Sequence, residues 1–252
     1  MQPILEVKNL TVKFEEGSRK ELTAVKDVSF CLYPNETLGI VGESGSGKST
    51  VARAVTRLLQ SSEGNIFLDG REITRLKGKA LRDIYRKIQM VFQSPAASFD
   101  PRRTLGDGVG ESMRNRGVER NTRKETVKKL MESCGLSEEF AGRYPHEVSG
   151  GQCQRAAIAR ALAAGPDILI CDEATSALDV TVQAQVMELL EELKRRHRMS
   201  FLFISHDLAL VQSFCDRVLV MKDGSVVEEG TPDQVIAHPK AAYTKELVEA
   251  VL

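Results

Sequence analysis

The chain has 252 residues, enough for one large α/β domain or two modest ones with a substantial buried core. Lys plus Arg and Asp plus Glu each number 35, so the formal net charge is zero and there is no electrostatic footprint for nucleic acid. No apolar run approaches the roughly 18 residues of a membrane-spanning helix, and Glu6 interrupts the start where a signal peptide needs an apolar stretch. A cytosolic protein is expected, with any membrane role exercised through a partner.

Ile4 to Phe14 alternates apolar and polar residues, with Leu5, Val7, Leu10, Val12 and Phe14 as the apolar set, which predicts a half-exposed strand or two short ones. Glu15 to Glu21, containing Gly17 and Ser18, reads as a polar loop. Val25 to Leu32 reads as a second strand, and Pro34-Asn35-Glu36 as a turn. The short apolar run Leu38, Ile40 and Val41 then predicts a buried strand, and Val51 to Leu59 has helical spacing without Pro or Gly.

Between that strand and helix stands Gly42-Glu43-Ser44-Gly45-Ser46-Gly47-Lys48-Ser49-Thr50, which fits the phosphate-loop template G-x-x-x-x-G-K-[ST]. Gly42, Gly45 and Gly47 lack a Cβ, so the backbone can curl until its N–H groups converge on an anion, and the following helix adds its positive end. Lys48 is placed to lie against the β and γ phosphates, Ser49 to put its hydroxyl on Mg²⁺, and Thr50 to reach the α phosphate. Phe14 is read either as a ring facing the nucleotide base or as a core aromatic. The loop alone does not separate kinases, GTPases, helicases and transport ATPases.

Further along, Gly64 to Leu68 reads as a strand, Asp69-Gly70 as a tight turn, Leu81 to Tyr85 as a short helix and Ile88 to Phe92 as a strand ending at Gln93. Ser94 to Asp107, with Pro95 and Pro101, reads as a polar loop. From Thr122 to Cys134 a charged helix is predicted, with Val127, Leu130, Met131 and Cys134 as its apolar stripe and Lys124, Lys128 and Lys129 facing out. Ser94 to Gly165 therefore reads as a helical insertion. Ser149-Gly150-Gly151-Gln152 opens an alanine-rich helix, as an ordinary cap or as a second anion site serving a nucleotide on a neighbouring subunit.

Ile168-Leu169-Ile170-Cys171 runs into Asp172 and Glu173. Beside a phosphate site, a buried strand ending in two carboxylates assigns Asp172 to Mg²⁺ through water and Glu173 to orienting or deprotonating an attacking water; the alternative is a strand end capped by solvated acids. Val180 to Arg196 is predicted as a helix with Val182, Val186, Leu189, Leu190 and Leu193 inward. Phe201 to Ile204 reads as a strand delivering His206, either a γ-phosphate contact or a structural histidine. Arg217 to Met221 and Ser225 to Glu229 bracket Asp223-Gly224 as a hairpin, and Thr231 to Ala237 and Ala241 to Val251 read as helices. Cys31, Cys134, Cys153, Cys171 and Cys215 show no metal-ligand spacing and read as reduced, mostly buried apolar residues.

In this order the motifs resemble the ATP-binding subunit of an ABC transporter over essentially the whole chain. Gly42 to Thr50 matches the family's first nucleotide motif, Gln93 its Q-loop, Ser149 to Gln152 its signature, Asp172 and Glu173 its second nucleotide motif, Asp179 its D-loop and His206 its H-loop. Phe14 matches the aromatic that stacks on adenine, and Val148 stands where leucine is usual. The resemblance implies a single domain with an α/β P-loop NTPase (RecA-like) core over 1–93 and 166–252, an N-terminal antiparallel β subdomain, and an inserted α-helical subdomain over 94–165. It implies ATP and Mg²⁺ as cofactors, with Ser49, Gln93 and Asp172 on the metal and Glu173, His206, Lys48 and Gln93 in catalysis.

Within the family the chain looks most like importers of dipeptides, oligopeptides and nickel. That likeness rests on Ser94-Pro95, Ser98-Phe99-Asp100-Pro101-Arg102, Ala177-Leu178-Asp179-Val180, Gln183-Ala184-Gln185, and Pro239 with Tyr243-Thr244-Lys245. Ala241-Ala242 replaces the usual His-Pro. Many peptide-importing members continue into a cysteine-containing tail, whereas this sequence ends at Leu252 without one, so a short nickel-type member is an expectation. The implied partners are a second ATPase chain, identical or related, that closes head to tail; two integral membrane permease subunits, received near Ser94 to Leu105; and, indirectly, an extracytoplasmic binding protein. The implied location is the cytoplasmic face of a bacterial or archaeal cell membrane, with no nucleic-acid partner. A soluble relative acting on DNA, the ribosome or an assembly complex is the alternative, but the chain has neither the long coiled-coil insertion nor the paired cassettes of such relatives. A phosphate-loop kinase is opposed by Ser149 to Gln152 and His206.

Overall fold

In the computed structural model, which describes residues 1–16, 20–176 and 178–250, the alternating N-terminal stretch forms one long strand, β1 (Leu5–Glu16). It pairs antiparallel with β2 (Lys20–Leu32). The loop expected over Glu15 to Glu21 is corrected at both ends. Glu15 faces Glu21 and Glu16 faces Lys20 in the ladder, because backbone pairing, not apolar content, carries a hairpin to its tip. Gly17 and Ser18 lie outside the described residues.

All five residues of β3 (Thr37–Val41) are buried, as its apolar run predicts. Helix α1 (Lys48–Val55) is shorter than its spacing indicates. The Thr56 hydroxyl donates back to the Ala52 carbonyl at 3.0 Å and Arg57 turns left-handed at φ 60°, which ends the helix before Leu59. Strands β4 (Glu63–Leu68) and β5 (Arg71–Glu72) flank the predicted Asp69-Gly70 turn.

Helix α2 (Gly78–Lys87) exceeds the short helix expected, and β6 (Ile88–Val91) follows it. Ser94 to Asp107 is not all loop. Pro95–Ser98 forms a 3-10 turn, and α3 (Leu105–Val109) starts where the Thr104 hydroxyl accepts the Asp107 N–H at 3.2 Å. Next come α4 (Glu111–Asn115), α5 (Arg120–Ser133), α6 (Gly150–Leu162), β7 (Ile168–Asp172) and α7 (Val180–His197). The chain then runs through β8 (Ser200–Ile204), α8 (Leu208–Phe214), β9 (Arg217–Lys222), β10 (Ser225–Gly230), α9 (Pro232–Ala237) and α10 (Ala242–Glu249).

The chain divides into two compact units. The first, Met1–Ile84 with Arg198–Leu252, holds an antiparallel sheet in the order β2-β1-β4-β5, together with the strands β10-β9-β3-β8. In the latter set β3 lies parallel to both β8 and β9, and β10 closes the edge as an antiparallel hairpin with β9. Phe214 of α8 packs edge-on against Phe201 and Phe203 of β8, with ring centroids 5.4 and 5.3 Å away.

The second unit, Tyr85–His197, pairs β6 with β7 in parallel and gathers the helical segment around α6, against which α3 and α5 pack. On α5, Val127, Met131 and Cys134 are buried as predicted, while Leu130 is half-buried. On α7, Val186, Leu189, Leu190 and Leu193 are buried, but Val182 is only half-buried and Met187 joins the core. The architecture is the expected α/β class with an N-terminal antiparallel sheet and a helical segment between β6 and β7.

Candidate functional site

Four of the motifs leave a strand at its carboxyl end, where open α/β sheets bind ligands. In the first unit, Gly42 to Thr50 follows β3 and His206 follows β8; in the second, Gln93 follows β6 and Asp172 with Glu173 ends β7.

The phosphate loop has the curled backbone that its glycines predict. Gly42 sits at φ 146° and Gly47 at φ 102°. A Cβ on Gly42 would lie 2.2 Å from the Met221 carbonyl oxygen, and one on Gly47 would lie 2.5 Å from that of Ala24. The loop is thus pressed between the end of β9 and a register shift in β2. The Gly224 N–H donates to the Ser46 carbonyl at 3.1 Å and adds the tip of the β9–β10 hairpin to the same support. Lys48 is buried, and its ammonium donates to the Gly42 and Glu43 carbonyls at 2.7 Å each and to the Ser46 hydroxyl at 3.3 Å. One cation therefore ties the loop to its own first turn. Ser44 and Gly45 are exposed at the rim, and Ser49 and Thr50 are half-buried in the first turn of α1.

Phe14 is 39% exposed and lies directly across the ladder from Leu22, itself 54% exposed, so it is not a core ring. His206 is exposed just beyond β8. Its neighbour Asp207 caps α8, accepting the N–H groups of Ala209 and Leu210 at 2.9 and 3.1 Å.

In the second unit Asp172 is the buried last residue of β7. Glu173 turns left-handed at φ 49°, a conformation uncommon for a residue with a Cβ. Its Oε2 accepts a 2.8 Å hydrogen bond from the exposed Gln93 side chain. Cys171, beside Asp172, is fully buried, and desolvation together with the Asp172 charge pushes its thiol up to about 12, so it stays protonated. Burial likewise raises Cys134 to about 12 and Cys153 to about 11, in keeping with the reading of the cysteines as apolar filler.

Ser149 to Gln152 forms a reciprocal cap. The Ser149 hydroxyl accepts the Gln152 N–H at 3.3 Å, and the Gln152 side chain accepts the Ser149 N–H at 2.9 Å. Ser149 and Gly150 are exposed, whereas Gly151 is buried. A Cβ on Gly151 would lie 2.3 Å from Val182 Cγ1, so this glycine serves the close approach of α6 to α7 as well as the backbone opening that the sequence suggests. Asp179 accepts the Val182 N–H at 3.0 Å and caps α7; Ala177 lies outside the described residues.

The sequence profile of the ABC transporter family matches residues 25–176. Nearly the whole chain also aligns with curated relatives. It is 47% identical over 257 residues to the glutathione import ATP-binding protein GsiA of Pectobacterium atrosepticum, covering 99% of this chain and 41% of that one. It is 46% identical over 258 residues to the oligopeptide transport ATP-binding protein OppF of Salmonella typhimurium, covering 98% of this chain and 77% of that one. The chain belongs to the ABC transporter family. It spans less than half of GsiA and about three quarters of OppF. Among solved structures, the dimeric ATP-binding cassette MJ0796 in a post-hydrolysis state bound to ADP and Pi superposes with a TM-score of 0.81 at 31% identity, covering 90% of this chain and 98% of that one. The fold is that of an ABC ATPase cassette.

Sequence reasoning missed the residues that brace the phosphate loop, Ala24, Met221, Gly224 and Tyr243. The Tyr243 hydroxyl accepts the N–H of Glu43 at 3.0 Å from 200 positions away. Only the resemblance of the Tyr243-Thr244-Lys245 stretch to a family motif marked that region.

Proposed function

We propose that this ABC ATPase binds ATP on the loop Gly42 to Thr50, hydrolyses it as half of a head-to-tail dimer, and energises an importer of peptides. The observation that carries the reading is the 46% identity to OppF over 98% of the chain, with the phosphate loop, Gln93, Asp172, Glu173 and His206 all present at strand ends.

The residues fit the chemistry assigned to them. Lys48, whose three N–H donors rest on Gly42, Glu43 and Ser46, turns part of that set to β- and γ-phosphate oxygens, and the amides from Ser44 to Thr50 surround them. The Ser49 hydroxyl, the buried Asp172 carboxylate and the Gln93 amide are hard oxygen donors suited to Mg²⁺. When bound, that ion neutralises charge between the β and γ phosphates. Glu173 takes the proton of the attacking water, and Gln93 orients the carboxylate through the bond they share. His206 contacts the γ phosphate and Phe14 stacks on the base. Ser149, Gly150, Gly151 and Gln152 of one chain close over the nucleotide of the other, with Asp179 at the same junction. The helical segment 94–165 carries the surface that receives a permease subunit, at the cytoplasmic face of the membrane.

The test is uptake in a strain lacking this gene, with labelled oligopeptides, glutathione and nickel compared. Loss of oligopeptide or glutathione uptake, restored by the wild-type chain and not by Lys48→Ala, is expected. Loss of nickel uptake alone would replace the cargo assignment. Unaltered uptake of all three, with the chain recovered on ribosomes or DNA, would reject the importer.

A further inference from the structure

The second residue of the phosphate loop is gripped from both sides. The Glu43 carbonyl accepts the Lys48 ammonium at 2.7 Å, and the Glu43 N–H donates to the Tyr243 hydroxyl at 3.0 Å. Lys48 belongs to the nucleotide motif, whereas Tyr243 belongs to the last helix, α10, whose sequence the nucleotide chemistry leaves unused. We infer that Tyr243 is a positioning residue for ATP binding, its hydroxyl fixing the Glu43 peptide so that the loop is already curled when the phosphates arrive.

Three observations within the first unit make this more than an incidental contact. Tyr243 is buried although Glu43 is exposed, so the hydroxyl reaches a solvent-facing loop from a fixed base. The ring is held from its face by the Lys222 ammonium, 4.4 Å from its centroid. The start of α10 is held in turn, because the Glu228 carboxylate of β10 accepts the N–H groups of Lys240 and Ala241 at 2.9 Å each. Lys222 ends β9, the strand whose Met221 carbonyl packs on Gly42. The hairpin that bears on the loop at Gly42 and Ser46 therefore also aims the tyrosine at Glu43. The peptide plane that bears the Glu43 N–H also bears the Gly42 carbonyl, which accepts the Lys48 ammonium at 2.7 Å, so losing the hydroxyl acts on the phosphate-binding cation through one peptide.

The inference rests on the nucleotide-binding reading and is tested on the full chain with Tyr243→Phe, which keeps the ring and its cation contact. The KM for ATP should rise about 3- to 10-fold, the range for losing one hydrogen bond, with kcat within twofold of wild type. The Glu43 amide should be protected from hydrogen exchange in the wild type and lose that protection in the variant, while the Val41 amide of β3 keeps its own. An unchanged KM, a fall in kcat alone, an unprotected Glu43 amide in the wild type, or loss of the fold in Tyr243→Phe would each overturn the positioning role. Failure of the wild-type chain to bind ATP would instead reject the underlying reading.

Discussion

Gln93 Nε2 donates a 2.8 Å hydrogen bond to Oε2 of Glu173, joining the residue beyond β6 to the residue beyond β7. The two strands run parallel and in register, with Val91 opposite Cys171, so both side chains emerge at the same sheet end. Any change that repositions Gln93 acts on the carboxylate assigned to the attacking water. In the proposed mechanism this direct contact would give Gln93 a route to the chemistry.

Glu173→Gln keeps the shape and the approach of Gln93 but removes proton acceptance. It should bind ATP with near wild-type affinity and lose at least about 100-fold in turnover, the usual share of a general base. Phosphate release measured beside equilibrium nucleotide binding checks this, and gel filtration with ATP should find the variant held as a dimer. Wild-type turnover would remove Glu173 from its assigned role.

The three loop glycines should not respond alike to alanine. At Gly42 and Gly47 a methyl group meets backbone carbonyls at 2.2 and 2.5 Å, neither of which can rotate away. Each substitution should cost at least about 2 kcal/mol of stability and abolish nucleotide binding. At Gly45, φ is 84° but nothing lies within 4 Å of a built Cβ, so only left-handed strain of about 1 kcal/mol applies. Thermal unfolding of the three variants, with and without ATP, should rank Gly45→Ala as the mildest. Equal losses at all three would mean that backbone conformation, not packing, governs the loop.

What was legible in the sequence follows from how local each signal is. The curled backbone of Gly42 to Thr50 was legible because its three glycines stand at fixed spacing within one turn. The strands β3, β7 and β8 were legible because burial on both faces leaves an uninterrupted apolar run. The hairpin turns at Asp69-Gly70 and Asp223-Gly224 were legible because left-handed pairs favour those residues. Glu173 at φ 49° gave no such signal, since glutamate has no left-handed preference and the surrounding fold imposes the angle. Gly151 looked like an open amide, and only the packing of α6 on α7 revealed the space that Val182 requires. The Tyr243 contact with Glu43 links the two ends of the sequence, and no window along the chain contains it.

The docking of α10 should weaken in acid. Burial pushes the Glu228 carboxyl up, but the N–H groups of Lys240 and Ala241, each donating to it at 2.9 Å, and the Lys240 charge beside them outweigh it and hold the group below the usual carboxylate range. A carboxylate depressed in the folded state stabilises it fully above the unfolded value of about 4.3, and that contribution disappears as pH falls through the lower folded value. Glu228→Gln should therefore melt below wild type at pH 7, and the difference should shrink as pH drops beneath about 4. Melting temperatures from pH 7 to pH 3 check the sign; a difference that stays constant across that range would mean the carboxylate charge is not what holds the helix. Because Tyr243 rides on the same helix, ATP affinity of the wild type should decline over the same interval before global unfolding begins.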